Sequence, residues 1–210
     1  MIRGLSIGDG TGTPQKVYLE VDSDKNCYVV LPNGTLLTST SGVINYDYTG
    51  VAGNVKLIVP KDTAIIKTSE AGVGGSAFHG DLKIETSCAL YELGYSEYMT
   101  IDVNNATDRV IAPSNLFLYS FKCDEAKEVD FSYCACTAQS IGLFLAAAAT
   151  YNPNYAGDAN FSGGDNALKA DVATFMFNSG LLTPNSVAAL NLWIATYLPN
   201  WTIQIDTTRP

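Results

Sequence analysis

Several segments of this chain resemble one another at a nearly constant distance along the sequence. In a first match, GNVKL at residues 53–57 is followed by GDLKI at residues 80–84. In a second match, ALYELGYSEYMTIDV at residues 89–103 resembles FLYSFKCDEAKEVDF at residues 117–131, with polar as well as apolar positions retained. A nearly fixed offset is typical of a chain built from repeated structural units, and it outweighs local propensity.

The size of this offset predicts the fold. The offset is 27 residues in the first match and 28 residues in the second. Both values lie within the roughly 20 to 29 residues of a leucine-rich repeat, in which each unit contributes a short strand and returns by a loop or a helix. Strands spaced in this way need crossover connections, since a hairpin is far shorter. We therefore predict an α/β fold, a short leucine-rich-repeat-like solenoid with an N-terminal β-hairpin region and C-terminal capping helices. The alternative is a sandwich whose strands recur at similar spacing.

The first part of the chain carries signals for strands and a hairpin. Residues 16–22, KVYLEVD, alternate apolar and polar side chains, which is typical of a half-buried strand. Residues 27–31 lead into Asn33-Gly34, a pair that supplies the positive φ angles of a tight turn. The predicted domains are a β docking segment and a solenoid with its helical cap, residues 1–49 and 50–210.

After residue 136 the pattern becomes helical. Residues 137–151 are rich in alanine and contain no charged residue, so this helix is expected to be buried nearly all round. A second helix is expected with Asp165 as its cap, and a third with Thr183 as its cap. The chain then returns to an alternating strand at residues 201–205. Helices and a strand at the end of a repeat array are typical of a unit that caps an open core.

Charge and composition limit the partners of the chain. It has 12 Lys and Arg against 21 Asp and Glu, which gives a formal net charge of -9. An acidic chain repels phosphate backbones and anionic lipids, so we expect no binding to nucleic acid or to membranes. The most apolar stretch, residues 141–149, is far shorter than the roughly 20 residues that cross a bilayer. The N-terminal residues lack a signal-peptide pattern, so we expect no classical secretion.

The cysteines and one acidic loop do not predict a metal site. Five cysteines are an odd number with no C-x-x-C pair, which favours reduced and mostly buried thiols. Residues 157–171 resemble a calcium-binding loop at Asp158, Asn160 and Ser162, but Lys169 stands where a bidentate carboxylate must complete the shell. We therefore expect a helix-capping loop, no metal and no cofactor.

The sequence offers little for catalysis. His79 is the only histidine, with Asp81 close enough to orient it, so any Ser-His-Asp or Cys-His scheme is limited to a single possible base. Acidic pairs such as Asp22 with Asp24 are far commoner on solvated loops than as acid and base dyads. We expect no catalytic residues, and hence a protein that is not an enzyme.

Tyrosine is the most prominent candidate for surface chemistry. The chain has 12 tyrosines, whose amphipathic rings are of the kind enriched in protein and carbohydrate contacts. Tyr91 and Tyr119 share a position in the second match, so we expect them to stack along one face. The predicted binding face consists of Tyr91, Tyr95, Tyr119 and Tyr133. The alternative is that these rings pack the interior of the solenoid.

Three stretches also carry a family resemblance that covers roughly residues 50–205. They are GNVKLIVPKDTAIIKT at residues 53–68, AFHGDL at residues 77–82 and NWTIQI at residues 200–205. In these stretches the chain resembles the leucine-rich-repeat-like proteins of Bacteroides-type gut bacteria and of the phages that infect them. The resemblance implies a surface adhesin or a virion component and not a catalyst.

Together these observations predict a non-enzymatic structural or binding protein. The function we expect is that of a bacteriophage virion component, a tail fibre or capsid-surface protein in assembly or host attachment. It would assemble in the host cytoplasm and reside in the virion. Its partners would be other virion proteins or further copies of itself as a homo-oligomer, with a host surface glycan or protein as a further partner. The alternative is a secreted or surface-displayed adhesin module that binds carbohydrate or protein at a bacterial cell surface.

Overall fold

Strands dominate the structure, and three helices lie in the last third of the described chain. The computed structural model describes residues 2–7, 14–60, 63–70, 74–75, 78–84, 90–93, 97–103 and 108–209. The helices are α1 (Ala138–Tyr151), α2 (Lys169–Asn178) and α3 (Val187–Tyr197). The strands, in chain order, are β1 (Ile2–Ile7), β2 (Gln15–Val21), β3 (Cys27–Val30), β4 (Leu36–Ser39), β5 (Val43–Tyr48), β6 (Gly53–Ile58), β7 (Ile65–Lys67), β8 (Ser69–Glu70), β9 (Gly74–Gly75), β10 (His79–Ile84), β11 (Leu90–Glu92), β12 (Glu97–Val103), β13 (Arg109–Ile111), β14 (Ser120–Lys122), β15 (Glu128–Asp130), β16 (Asp158–Phe161) and β17 (Thr202–Ile205).

Most of these strands form two large sheets that enclose one hydrophobic core. Sheet A has seven strands in the order β14-β12-β10-β1-β6-β3-β4. Sheet B has eight strands in the order β17-β16-β15-β13-β11-β7-β2-β5, and β8 pairs with β9 in a separate ribbon. Buried side chains of both sheets belong to one continuous cluster, so the two sheets pack face to face.

The N-terminal strands pair in antiparallel fashion. β3 and β4 form a hairpin whose turn contains Gly34 at a φ of 83°, and β2 pairs with both β5 and β7. β1 lies between β6 and β10 and is antiparallel to both. Strands from residues 1–49 therefore lie beside strands from residues 50–210 in both sheets. Whether the first of these predicted domains docks to another molecule stays a prediction.

From β10 onward the chain alternates between the two sheets, and strands within each sheet pair in parallel. β10, β12 and β14 lie in sheet A, whereas β11, β13 and β15 lie in sheet B. In sheet B, Leu90 pairs with Arg109 and Arg109 with Glu128, each 19 residues further along the chain. β16 and β17 extend sheet B by two further parallel strands.

Helices take the place of strands towards the C-terminal end. α1 lies between β15 and β16 in the sequence, and α2 and α3 lie between β16 and β17, so sheet A ends at β14 while sheet B continues. Neighbouring aromatic rings pack in this region, with centroid separations from 4.4 to 6.1 Å. They come from both sheets, from α1 and from the residue before β17: Phe121, Phe131, Phe144, Phe161 and Trp201.

The predicted leucine-rich-repeat-like solenoid is wrong. The described residues form a mixed α/β structure with two large mixed sheets, and strand pairing does not follow either of the two sequence matches. The second match aligns Tyr91 with Tyr119. Tyr91 is fully buried on β11, whereas Tyr119 lies outside any strand with 43% of its surface exposed. The aligned segments are therefore not equivalent units.

The first match is explained by the similar inward-facing pattern of two strands of sheet A. It relates β6 to β10, which are the two neighbours of β1 in sheet A. Both strands place apolar side chains in the core, such as Val55 and Leu57 on β6 and Leu82 on β10. Because side chains alternate between the two faces of a strand, strands of one sheet with the same inward pattern can look alike without forming a repeat.

The predictions for single elements fare better than the prediction for the whole fold. The strand expected at residues 16–22 is β2, the hairpin is β3 and β4, and the first helix is α1. Thr137 caps α1, since its Oγ1 accepts a hydrogen bond from the backbone N–H of Ser140 at 3.3 Å. The positions of these three elements are confirmed, because each rests on contacts between residues that are close in sequence. The expectation that the first helix is buried nearly all round is wrong, since Leu143 and Tyr151 are 51% and 57% exposed.

The other two helices begin later than predicted. Asp165 does not cap α2, which begins after Leu168; the N–H of Leu168 donates to Asp171 Oδ2 at 3.2 Å. Thr183 does not cap α3, because Ser186 Oγ accepts the N–H of Ala189 at 3.1 Å. In both cases several residues could have served as a cap, and packing decided between them.

The aromatic cluster makes a testable claim about stability. We expect Phe161→Ala to lower the free energy of unfolding by about 3 to 5 kcal/mol, because Phe161 is fully buried and its ring contacts those of Phe121, Phe131 and Phe144. Urea unfolding followed by circular dichroism measures this change. Phe117→Ala is the matched control: Phe117 is 58% exposed, and its loss should cost less than about 1 kcal/mol. Equal costs for the two variants would contradict the packing described.

Candidate interaction surfaces

The four tyrosines of the predicted binding face have different environments. Tyr91 is fully buried in the core, and Tyr95 lies outside the described residues. Tyr119 and Tyr133 are 43% and 59% exposed. Of the four, only these two are seen at the surface of the described part of the chain, so Tyr91 does not stack beside Tyr119 on one face.

The residues considered for catalysis have structural partners. His79 lies half-buried on β10, and Asp81 accepts a hydrogen bond from Thr100 Oγ1 at 2.8 Å. Asp22 accepts the backbone N–H groups of Ala64 and Ile65 at 2.8 and 2.9 Å, and so fixes the start of β7. These carboxylates hold strands in place.

The residues of the loop that resembles a calcium site also have structural roles close to their own positions in the chain. Asp158 lies on β16, and Asn160 Oδ1 accepts hydrogen bonds from the N–H and Oγ of Ser162 at 3.1 and 2.7 Å. Lys169 is the first residue of α2. Within the described ranges, no three residues among His, Cys, Asp and Glu come together in a way that could hold a metal ion.

Four of the five cysteines lie in the described part of the chain, and all four are buried free thiols: Cys27, Cys123, Cys134 and Cys136. Burial raises the pKa of the Cys27 thiol to about 11, and it also raises the pKa values of Cys123 and Cys136. Thiols held in the protonated form are poor nucleophiles, so Cys27, Cys123 and Cys136 act as packing groups. The prediction of buried thiols is confirmed for them.

Buried polar side chains bind the backbone where the chain leaves sheet B, and the sequence reasoning missed them. Asn115 Nδ2 donates to the carbonyl of Ala112 at 2.9 Å, and Cys134 Sγ donates to the same carbonyl at 3.3 Å. Asn166 Nδ2 donates to the carbonyl of Phe131 at 2.8 Å. The sequence signal is the shared pattern V-x-(A/F)-x-x-(N/C) at residues 110–115 and 129–134. It follows the pairing offset of β13 and β15, and so would have revealed the true register.

The outer face of sheet B carries a ladder of ion pairs. Lys67 Nζ lies 3.6 Å from a carboxylate oxygen of Glu20 and 3.5 Å from one of Glu92. Arg109 binds Glu128 with two contacts of 2.7 Å, and this bidentate bond raises the pKa of the guanidinium. Lys67 and Arg109 therefore pair with three glutamates of this face, while Glu128, Asp130 and Asp158 lie close enough for their carboxylates to act on one another.

A groove lies between α1 and the edge strand β14 of sheet A. Its volume is about 640 Å³, and Tyr119 lines it. The polar side chains of Lys122, Asp124 and Gln139 and the apolar side chain of Leu143 also line it. An exposed aromatic ring beside several hydrogen-bonding groups is chemically suited to a sugar ring.

Both sheets have an edge strand at the N-terminal end of the molecule. β4 pairs only with β3 in sheet A, and β5 pairs only with β2 in sheet B, within the described residues. β4 and β5 also contact each other. Leu36 on β4 is 55% exposed, and Val43 and Tyr46 on β5 are 42% and 43% exposed. Two adjacent edges therefore carry exposed apolar side chains.

At the C-terminal end, α3 leaves an apolar face exposed. Its sequence, VAALNLWIATY, has no charged residue, yet Leu190 is the only residue of this helix that is fully buried. Leu192 is 69% exposed and Tyr197 is 52% exposed. The sequence signal is plain in retrospect, since no charged residue occurs between Asp171 and Asp206. A helix this apolar is normally buried on most sides.

Comparisons with protein-family models, with curated proteins and with solved structures find no match to this chain. Among the helices of the described residues, none combines the length and the apolar character that a membrane span requires. The surfaces of the molecule are therefore the basis for a functional proposal.

The environment of Asp158 on the outer face of sheet B predicts how the stability of the fold depends on pH. Burial raises the pKa of Asp158, and the carboxylates of Glu128 and Asp130 raise it further. The folded state holds this proton more tightly than the unfolded chain does, so the ionised carboxylate lowers stability above that pKa and not at acid pH. We expect Asp158→Asn to raise the melting temperature at pH 7 by on the order of 1 °C, and to have no effect below about pH 3.

Differential scanning fluorimetry across this pH range measures the effect. Asp24→Asn is the control, because Asp24 is exposed and lies 4.0 Å from the ammonium group of Lys25. Removing this charge should give no rise at pH 7. A rise with Asp158→Asn that persists unchanged at acid pH would contradict the electrostatic explanation.

Proposed function

We propose that this chain is a non-enzymatic structural protein that assembles with neighbouring subunits by strand addition at its N-terminal sheet edges. The observation that carries the proposal is the pair of adjacent edge strands, β4 and β5. An edge strand presents backbone N–H and C=O groups to any extended segment that approaches it. Two such edges side by side offer a docking surface with backbone hydrogen bonds and exposed apolar side chains.

The composition of β4 and β5 supports the proposal that another subunit covers these edges. Natural proteins usually protect edge strands with lysine, proline or a bulge. Asp47 is the only charged residue between Lys25 and Lys56, and β4 and β5 contain no proline. Asp47 is partly neutralised by Lys16, whose Nζ lies 3.9 Å from Asp47 Oδ1. An edge with so little protection is suited to being covered by another subunit.

A role without catalysis agrees with the partners of the acidic residues. Asp22 is engaged with the backbone of β7, and Glu20, Glu92 and Glu128 are ion-paired on the outer face of sheet B. Carboxylates used in this way are not poised as an acid and base pair facing a substrate.

The setting that we propose is a bacteriophage virion, as a tail-fibre or capsid-surface component. Its support is the assembly surface formed by β4 and β5, which suits a protein that packs against neighbouring subunits. Partners would be other virion proteins or further copies of this chain.

Charges placed on the edges test this proposal. We expect the wild-type chain to self-associate with rising concentration, and the double variant Leu36→Lys/Val43→Lys to lose edge-mediated assembly, because a lysine on each edge obstructs an incoming strand. Light scattering coupled to gel filtration measures the mass. Hydrogen exchange reports on the edge itself: the β5 amides that face away from β2 should be protected only in the assembled wild type.

Substitution is preferable to deletion of the N-terminal segment, because β1 and β2 lie inside the two sheets. The matched control is Leu116→Lys/Tyr151→Lys, at two positions that are 65% and 57% exposed and lie outside the edge strands. It should assemble like the wild type. A wild-type chain whose outward-facing β5 amides show no protection at any concentration would contradict strand addition between copies.

The groove beside α1 favours a second candidate function, that of a carbohydrate-binding adhesin module. The observation is the position of Tyr119, which lines the groove together with Lys122, Asp124 and Gln139. A ring of this kind can stack on a sugar while the polar groups bind its hydroxyls.

Glycan binding distinguishes the two candidates. If the groove binds sugar, Tyr119→Ala should weaken binding to a glycan array hit by about tenfold or more, since one aromatic contact is lost. Tyr133→Ala is the control, because Tyr133 is exposed but does not line the groove. Absence of binding to any glycan, or equal losses for the two variants, would count against this function.

A further inference from the structure

The exposed face of α3 is built for contact with another apolar surface. Ala188, Asn191, Leu192, Ala195 and Thr196 are exposed, and their spacing places them on one side of the helix. The neighbouring face lines a shallow groove of about 560 Å³ with Leu181, Pro184, Ala189, Trp193 and Tyr197. The rings of Trp193 and Tyr197 lie 4.9 Å apart and form one wall of this groove.

The charge distribution narrows the choice of occupant. All 12 basic and 21 acidic residues lie outside the segment between Asp171 and Asp206. A membrane surface or a nucleic acid would call for lysine or arginine on this face, and a basic protein would call for aspartate or glutamate. The occupant therefore needs no formal charge where it touches α3.

A second copy of this chain fits that requirement. Two molecules of net charge -9 repel each other over most of their surface, but no formal charge meets another where two α3 helices touch. The helix is also self-complementary. Leu192 is the central residue of Val187–Tyr197 and is flanked on the exposed face by the small residues Ala188 and Ala195.

We infer that α3 forms a homotypic contact, in which two copies pack their α3 helices antiparallel across a two-fold axis close to Leu192. In this arrangement Leu192 of each copy enters the space between Ala188 and Ala195 of the other, since small residues allow two helices to approach closely. Thr196 then faces Ala188 across the axis. The contact is isologous, as two-fold symmetry requires.

This inference deepens the proposed assembly function, on which it rests, by naming a second contact at the opposite end of the strand order from β4 and β5. The helix is short, about 16 Å for its 11 residues, so the interface falls in the small class of protein contacts. We expect a dissociation constant on the order of tens of micromolar for the isolated contact. In an assembly, the edge contact would raise its effective strength.

Charge exchange at Leu192 tests the two-fold geometry. The measurements use full-length chains that also carry Leu36→Lys/Val43→Lys, so that edge assembly does not contribute, at concentrations from about 5 to 500 µM in sedimentation velocity. The parent should form a dimer. Leu192→Lys alone and Leu192→Glu alone should each weaken dimerisation at least about tenfold, because like charges meet at the axis. An equimolar mixture of the two should restore a dimer.

The matched control is the same pair of substitutions at Leu143, a leucine on α1 that is 51% exposed. These variants should dimerise like the parent, and circular dichroism checks that all variants remain folded. If the single Leu192 variants still dimerise, or if the mixture fails to restore the dimer, the two-fold α3 contact is wrong. If instead the edge substitutions have no effect in the wild-type background while the Leu192 variants do, the strand-addition function fails and the α3 contact stands.

Discussion

The aromatic cluster around Phe161 is the interaction on which the C-terminal half of the structure depends. Phe121 from sheet A, Phe131 and Phe161 from sheet B, and Phe144 from α1 meet there, with Trp201 beside Phe144. Sheet A ends at β14 whereas sheet B continues, so the inner face of sheet B needs another cover beyond that point. The rings connect the inner face of sheet B to α1. α2 contacts α1, and α3 contacts α2. Burial of large aromatic surface thus allows strands to give way to helices.

The two ends of the strand order differ in what they offer a partner. The N-terminal end has two sheet edges, where contact would be made by backbone hydrogen bonds. The C-terminal end has an uncharged helix, where contact would be made by close packing of Leu192 and the small residues around it. Between the two ends, Lys67 and Arg109 on the outer face of sheet B are paired with glutamates of neighbouring strands. The proposed assembly function therefore rests on the ends of the molecule and not on its faces.

Sequence reasoning succeeded where the deciding contacts are local, and failed where they are not. The Asn33-Gly34 turn and the helix predicted at residues 137–151 depend on neighbours within four residues. The second sequence match, by contrast, aligned residue types without regard to which face of the sheet they occupy, and it paired buried Tyr91 with exposed Tyr119. The pattern ending in Asn115 and Cys134 held the true register, but its importance becomes plain only when both side chains are seen on the carbonyl of Ala112.

The sequence by itself determined the hairpin, the three helices in outline, the buried thiols and the uncharged stretch between Asp171 and Asp206. These features follow from residue type and short-range spacing, which do not depend on the tertiary structure. Only the tertiary structure decided that β1 lies between β6 and β10, that Tyr91 is inside, and that α3 is exposed although its residues are apolar. Each of these depends on which distant segments cover a surface. Hydrophobic burial is not directional, so composition alone does not determine which partner supplies the cover.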